Sequence, residues 1–224
     1  MITRAHRGFA SRSTLLVIAA AFAAGLGLYA AQRWLRPPSL DLKVVQLIDP
    51  ARKLPPVHLK YSDGRARGLE EVAGHWTVVF LGFTHCPDVC PTTLAELAKA
   101  QKQWGNLPSV SRPKVLFVSV DPERETPTSV GEYAHFFHRE TVAASGTAPD
   151  LASFANALGL VFMKVPTTGD DYTIDHSATI VVLDPQGQEA GLIRPKEPGP
   201  DSTQPEFAWA DIAADLVTLS KARP

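Results

Sequence analysis

Cysteine is scarce in this sequence, with two residues among 224, and the two lie four positions apart at Cys86 and Cys90. A disulfide across so short a loop would constrain the unfolded chain little, so the pair is poor evidence for a structural crosslink. A basic excess is also missing, because 22 lysines and arginines face 23 aspartates and glutamates, for a net charge of −1. Too little positive charge remains to neutralise phosphates, which argues against a nucleic-acid partner.

The composition is otherwise that of a folded chain. Hydrophobic residues make up 45% of the sequence and charged residues 20%, a balance that disordered segments do not have. A length of 224 residues is enough for one domain with a proper core, together with a tail. We therefore predict an N-terminal segment and linker over residues 1–40, with the linker at Pro37-Pro38, and one globular domain over residues 41–224.

The N-terminal segment contains a long apolar run without charges. The run extends from Ser13 to Gln32, and roughly 20 residues is the length that crosses the hydrocarbon core of a bilayer. Tyr29 and Trp34 lie at its far end, where interfacial aromatic residues are common. We predict an uncleaved transmembrane helix. The alternative is a cleaved signal peptide, for which the run lacks a clean small-x-small site.

Arginines lie on both sides of this run. Three precede it and two follow it, namely Arg4, Arg7, Arg12, Arg33 and Arg36. This bias favours a single-pass helix with its amino terminus inside. The globular domain would then lie outside the bacterial inner membrane, in the periplasm, or in the mitochondrial intermembrane space of a eukaryote. Thiols tend to oxidise outside the cytoplasm, so either a partner keeps the cysteine pair reduced or the oxidised form is part of its cycle.

Residues 77–91 combine a buried strand, a loop with two thiols and the start of a helix. The apolar strand Thr77–Gly82 precedes Cys86 and Cys90, and Pro91 suits the first helical turn, where a missing N–H is harmless. Apolar residues then recur at helical spacing. A helix that begins at Cys90 places free N–H groups and the positive dipole end beside that sulfur. This environment favours the thiolate, which is both the metal ligand and the nucleophile.

The rest of the chain shows strand and helix patterns in alternation. Strands are predicted at residues 44–47, 57–61, 115–120, 161–165, 178–183 and 190–193, an extended segment at 172–174, and helices at 91–104, 126–138, 150–158 and 207–219. This order is typical of a thioredoxin-like α/β fold, with a central mixed β-sheet flanked by helices. In such folds the loops at the carboxyl ends of parallel strands lie together. Three of these loops carry polar residues, at 85–90, 121–124 and 175–176.

Two thiols and one imidazole from these loops would form a soft site with three ligands. Cu(I) accepts low coordination and thiolate ligands, and two cysteines with one histidine also suit Cu(II). Structural zinc normally takes a fourth ligand. The spacing of Cys86, Cys90 and His176 does not choose between these metals.

Three segments resemble the signatures of the Sco/SenC family: GFTHCPDVCP at 82–91, VSVDPERET at 118–126 and YTIDHS at 172–177. They occur in the family's order, and the resemblance covers residues 41–195. It implies a thioredoxin-like fold that binds one copper ion per domain, as Cu(I) or Cu(II). It also implies a role in cytochrome c oxidase assembly, where the family helps to mature the binuclear copper site of subunit II.

The resemblance further implies which residues bind the metal. Cys86, Cys90 and His176 correspond to the copper ligands, and Asp121 is expected near the site, behind the ligands or facing a partner. The departures from the family pattern are small. Glu125 stands where an aspartate is usual, and because it is not a ligand the predicted site is unaffected.

Other polar residues near these loops have two interpretations each. His85 adjoins Cys86 and is an alternative, transient ligand, although we expect its ring to point elsewhere. Asp88 is either a carboxylate favourable to the helix dipole or a contact for a cation of a partner. His135 and His138 are three positions apart on a predicted helix, a spacing that can share a metal but is more often found in solvated side chains.

Three functions fit these residues. The first, which we predict, is a copper metallochaperone, a transfer protein without enzymatic turnover, served by an upstream copper donor and a thiol reductant. The second is an exported thiol–disulfide oxidoreductase. Against it, three residues separate the cysteines where thioredoxins have two, and no proline directly precedes Ala178. The third is a peroxide-reducing enzyme with Thr84 and Arg124 beside a reactive cysteine, a signature that is otherwise absent.

Overall fold

The structure is a computed structural model that describes residues 12–35, 40–169, 171–196 and 206–222. The predicted linker at Pro37-Pro38 and the arginines Arg4, Arg7 and Arg36 lie outside the described residues. The chain divides into two compact units, residues 1–39 and residues 40–224.

In its described part the first unit is one helix, α1, which runs from Arg12 to Leu35. Its segment Arg12–Ala31 is 20 residues long, has a mean hydropathy of 2.0 and is not buried. This length and composition suit a membrane span, and they also suit a signal sequence. The predicted N-terminal apolar helix is confirmed, and its role as an uncleaved anchor stays a prediction.

The described part of the second unit alternates strands with helices. Its strands are β1 Gln46–Arg52, β2 Leu59–Tyr61, β3 Ala66–Arg67, β4 Thr77–Gly82, β5 Lys114–Ser119, β6 Val142–Ser145, β7 Phe162–Pro166, β8 Tyr172–His176, β9 Ile180–Leu183 and β10 Glu189–Ile193. Its α-helices are α2 Val89–Trp104, α3 Pro127–Phe137, α4 Ala148–Ala157 and α5 Trp209–Ala222, and a 3₁₀ turn covers Ser109–Ser111.

Eight of these strands form one mixed sheet, in the order β1-β10-β9-β4-β5-β6-β2-β3. β4, β5 and β6 are parallel, and the other pairings are antiparallel. β4 and β5 pair without a shift from Thr77↔Lys114 to Gly82↔Ser119, so both strands end at the same level. The loops that follow Gly82 and Ser119 are therefore neighbours, as the predicted parallel arrangement requires.

The ends of these two strands are embedded in the core. Every residue of β4 is buried, which is typical of central strands covered on both faces. The predicted apolar stripe of α2 is also buried and includes Leu94, Leu97 and Ala98. The loop between β4 and α2 is thus held at both ends by packed secondary structure.

β7 and β8 form a separate ribbon of two strands. They pair antiparallel from Phe162↔His176 to Pro166↔Tyr172, and within the described residues neither is part of the eight-stranded sheet. The prediction that Asp175 and His176 lie in a loop at the carboxyl end of a parallel strand is wrong, because both belong to β8, which pairs antiparallel with β7. As a result, His176 lies on an element that, in the described part of the chain, no backbone ladder joins to the central strands.

Two strand predictions require correction. The strand predicted at 44–47 is expected to end at Asp49-Pro50, but β1 continues to Arg52. β1 is an edge strand with a register shift, and proline is tolerated at edges and bulges. The short strands β3 and β6 were not predicted, and β6 pairs parallel with β5. Its alanines carry little strand preference, so its conformation depends on the neighbouring strand.

Candidate metal centre

Residues 83–88, which we call the thiol loop, connect β4 to α2. The helix begins at Val89, one residue before the predicted start, with Asp88 as its N-cap residue. Cys90 therefore lies in the first turn, and its backbone N–H donates to Cys86 Sγ at 3.4 Å. Both cysteines are free thiols, with Cys90 buried and Cys86 partly exposed. The loop thus presents one accessible sulfur and one enclosed sulfur at the helix start.

His176 faces the enclosed sulfur. Its Nε2 lies 3.8 Å from Cys90 Sγ, and its Nδ1 lies 3.1 Å from the backbone carbonyl oxygen of Ser177. Because a carbonyl oxygen only accepts, Nδ1 carries the ring proton and Nε2 directs its lone pair toward the sulfur. This is the tautomer that an imidazole ligand requires. Phe80 and Phe83 hold the ring edge-on, with centroids 6.1 and 6.3 Å away.

Gly82 makes room for the Cys90 sulfur. A Cβ atom built on Gly82 would lie 2.9 Å from Cys90 Sγ and 2.9 Å from the Phe117 ring. Such contacts are too short for a side chain, so only glycine fits at the end of β4 without displacing the sulfur. From the sequence, Gly82 was predicted only as the end of a strand, and its contact with Cys90 was not predicted.

The pKa values of the two cysteines are shifted in opposite directions. A hydrogen bond from the Cys90 thiol, followed by hydrogen bonds from the backbone N–H groups of Asp88 and Cys90, lowers the pKa of Cys86 to about 5, despite partial burial. The same hydrogen bond and burial raise the pKa of Cys90. Cys86 is thus a thiolate at neutral pH and Cys90 a thiol. The thiolate predicted at Cys90 from its place at the helix start is therefore wrong, because Cys90 is buried and donates its proton to Cys86.

We expect the alkylation rate of Cys86 in the reduced, metal-free chain to reach half its maximum near pH 5. Thiolate is the reactive form, so a lowered pKa moves the midpoint below the usual value of about 8.5. Iodoacetamide labelling followed by mass spectrometry measures this rate for each cysteine. Cys90→Ala removes the donor thiol, and the midpoint should then rise. A wild-type midpoint near 8.5 would contradict the assigned acidity.

Glu125 organises the loop in front of the thiols, a role that the sequence analysis does not assign to it. Its side chain is buried and accepts hydrogen bonds from Thr84 N at 2.6 Å, Thr84 Oγ1 at 2.7 Å and Ser119 Oγ at 2.6 Å. His85 Nδ1 lies 3.1 Å from the same carboxylate, and its side chain is 55% exposed. His85 therefore turns toward Glu125, as expected for a ring that points away from Cys86.

Asp121 is buried and belongs to a second group of contacts. Its carboxylate accepts from Arg124 Nε at 2.6 Å and from Tyr172 Oη at 2.7 Å. Acceptor oxygens of Asp121 and Glu125 and a ring nitrogen of His85 also lie within 4.8 Å of one another. These carboxylates already accept from a guanidinium or from hydroxyl groups, so we interpret the group as a hydrogen-bond network. Thr84 Oγ1 donates a hydrogen bond to Glu125, and Arg124 Nε donates one to Asp121. Neither group is directed at a cysteine in these contacts, which argues against the peroxidase interpretation.

The histidines of the α3 region lie at exposed and half-buried positions, as predicted. The helix ends at Phe137, so His138 is its C-cap residue in an extended conformation and does not continue the helical face of His135. Instead, His138 Nδ1 accepts the N–H of Glu140 at 3.2 Å. A shared metal at these two residues has no support in this geometry.

The fold and the site define a thioredoxin-like domain with a dithiol and a facing imidazole. The SCO1/SenC family matches residues 46–209. A protein of Stutzerimonas stutzeri is 32% identical over 157 residues, which are 69% of this chain and 76% of that protein. The mitochondrial SCO2 homolog of Bos taurus is 34% identical over 125 residues, which are 55% of this chain and 47% of that protein.

Solved structures agree with this match. The crystal structure of Arabidopsis thaliana ScoI with copper bound superimposes with a TM-score of 0.64 at 28% identity, covering 75% of this chain and 98% of that chain. The chain belongs to the SCO1/SenC family. The predicted family and thioredoxin-like fold are confirmed. The matched region spans about half the length of the bovine relative.

Proposed function

We propose that this chain is a membrane-anchored copper metallochaperone that supplies the binuclear copper site of cytochrome c oxidase subunit II. The observation that carries the proposal is the approach of His176 Nε2 to within 3.8 Å of Cys90 Sγ, next to Cys86. Two sulfurs and one imidazole nitrogen suit Cu(I) and are also tolerated by Cu(II). The copper-bound ScoI structure and the family match support copper as the metal.

Copper is the cargo in this proposal, and the two thiols have different parts in handling it. Cys86 is already a thiolate at neutral pH, whereas Cys90 releases its proton to solvent when the metal binds. A cavity of about 360 Å³ borders Cys86 and His176 and admits a partner to this side. A receiving thiolate would therefore replace Cys86 first. The enclosed Cys90 would hold the ion until the partner supplies a second ligand.

The second candidate, a thiol–disulfide reductase, is favoured by one observation. A partly exposed thiolate next to a buried thiol is the arrangement of an attacking and a resolving cysteine. Cys86 would attack a partner disulfide, form a mixed disulfide and release one partner thiolate. Cys90 would then attack Cys86 Sγ, leaving a Cys86–Cys90 disulfide and releasing the second thiolate. Two electrons pass to the partner, and a separate thiol reductant must restore the pair.

We also propose that α1 anchors the domain outside the cytoplasmic membrane, in the bacterial periplasm or, in a eukaryote, the mitochondrial intermembrane space. The length and apolar composition of Arg12–Ala31 support a membrane span. The orientation depends on the arginine bias of the sequence.

A transfer experiment with the full chain in detergent tests the proposed function. The copper-loaded chain is mixed with the metal-free, reduced copper domain of subunit II, and the absorption spectrum of the binuclear site is followed. We expect that spectrum to appear as copper leaves the chain. In a second arm, the reduced, metal-free chain is mixed with the same domain in its disulfide form, and partner thiols are counted. Thiol release without copper transfer in the first arm would favour the reductase.

A further inference from the structure

The position of His176 relative to Cys90 is not set by backbone pairing alone. His176 ends β8, and β8 pairs with β7, while Cys90 follows β4 of the eight-stranded sheet. Among the described residues, no ladder of hydrogen bonds connects the ribbon to that sheet. The connection 177–179 to β9, which pairs with β4, keeps His176 near the central sheet, and side-chain contacts orient the ribbon so that the imidazole lies 3.8 Å from the sulfur.

One turn of the chain reaches both ligand-bearing elements. The turn Asp121–Glu125 follows β5 and is closed by a hydrogen bond from Glu125 N to the Asp121 carbonyl oxygen at 3.1 Å. Both end residues are buried. Asp121 contacts the ribbon, whereas Glu125 contacts the loop that leads to Cys86.

The contacts on the ribbon side converge on Tyr172. Its hydroxyl donates to Asp121 Oδ1 at 2.7 Å, and the Arg124 guanidinium lies 3.7 Å from its ring centroid. Arg124 Nη1 also donates to the Tyr172 carbonyl oxygen and to Asp171 Oδ1, each at 3.0 Å. Arg124 Nε completes the group by donating to Asp121 Oδ2 at 2.6 Å. The ribbon is thereby attached to the turn through both a side chain and the backbone of one residue.

The contacts on the thiol side converge on Glu125. One oxygen accepts from the backbone N–H groups of Thr84 and His85, at 2.6 and 3.3 Å, and the other from Ser119 Oγ at 2.6 Å. These contacts fix the backbone immediately before Cys86. Because Asp121 and Glu125 belong to one closed turn, the two groups of contacts cannot move independently.

Strand geometry carries the restraint from Tyr172 to the imidazole. Residues 172, 174 and 176 point to the same face of β8, because side chains alternate along a strand. Ile174 between them is 5% exposed and packs into the core. A shift of Tyr172 along or away from the turn therefore displaces His176 in the same direction.

We propose that the turn Asp121–Glu125 positions the metal site by setting the separation between the thiol loop and the imidazole strand. Tyr172 is the positioning residue on the strand side, and it acts through His176 without contacting the sulfurs. The expected change in copper affinity rests on the proposed function, whereas the expected change in hydrogen exchange does not.

Tyr172→Phe in the full chain tests the proposal. It removes one hydroxyl and leaves the ring under Arg124, which avoids the buried, unpaired charge that a change at Asp121 would create. We expect the affinity for copper, measured by competition with a chelator, to fall about tenfold, in the range for loss of a residue that orients a ligand. Hydrogen exchange of the metal-free chain should become faster at amides 173–176.

Tyr61→Phe is the matched control. Tyr61 is a buried tyrosine of β2 whose hydroxyl donates to the Gly68 carbonyl oxygen at 2.5 Å, so the same chemical change is made away from the site. It should leave both readouts unchanged. Unaltered exchange in Tyr172→Phe, or equal changes in the two variants, would overturn the positioning role. A wild-type chain that binds no copper would refute the proposed function, and the exchange measurement would still decide on Tyr172.

Discussion

Replacement of His176 with alanine is expected to weaken copper binding by about 100-fold or more. Loss of a residue that merely orients a ligand already costs roughly 10–100-fold in metal affinity. His176 directs the Nε2 lone pair at Cys90 Sγ from 3.8 Å, whereas the ring of His85 contacts Glu125. Competition with a Cu(I) chelator measures the affinity, and the thiolate-to-Cu(II) absorption band reports whether both sulfurs still bind.

The same variant separates the two candidate functions. A reductase needs Cys86 and Cys90, so it should still reduce the disulfide of the partner when the ring is absent. A copper chaperone should lose metal retention. His135→Ala is the control, because this exposed histidine lies on α3 and has no contact with the thiols. If His176→Ala retained copper as well as His135→Ala does, the assignment of the imidazole as a ligand would be wrong.

Replacement of Gly82 with alanine is expected to destabilise the core and to displace the sulfur of Cys90. The added methyl group would lie 2.9 Å from Cys90 Sγ and 2.9 Å from Phe117, and both β4 and α2 are packed, so the sulfur must move. Overpacking of this kind destabilises a core by about 1–3 kcal/mol. We expect a lower free energy of unfolding in denaturant and, because the Cys90–His176 separation changes, a copper affinity lowered about tenfold.

Gly146→Ala provides the matched control for this substitution. A Cβ atom at Gly146 would meet Leu151 at 3.4 Å, an ordinary van der Waals contact, and Gly146 lies after β6, outside the thiol loop. This variant should retain copper affinity. A Gly82→Ala chain that binds copper with wild-type affinity would show that the thiol loop adapts and that Gly82 does not position Cys90.

The thiol loop was largely predictable because its signals are local. An apolar strand, a short loop with two cysteines and Pro91 in the first helical turn follow one another within 15 residues, 77–91. The helix therefore begins within one residue of its predicted start. Local patterns also predicted α3 and α4 within about two residues at each end, a usual uncertainty for helix boundaries. One residue at a helix end still matters, because α3 ends at Phe137 and His138 leaves the helical face of His135, which removes the less favoured alternative of a shared metal.

The acidity of the cysteines depended on burial and could not be read from spacing. The sequence analysis favours a thiolate at Cys90, from its place at the helix start. In the structure Cys90 is enclosed by the core and donates its proton, so that Cys86 becomes the thiolate. Which sulfur is accessible follows from how β4 and α2 pack around the loop.

The sequence by itself determined the donor types, the order of the elements and the apolar N-terminal helix, since each is written in composition or in short-range periodicity. Only the tertiary structure decided that β7 and β8 form a ribbon outside the main sheet, and that Asp121, Glu125 and Tyr172 hold it against the thiol loop. The reason is physical. Cys90 and His176 are 86 positions apart in the sequence. Their separation depends on the pairing of β9 with β4 and on side-chain contacts between separate elements, and no local pattern encodes either.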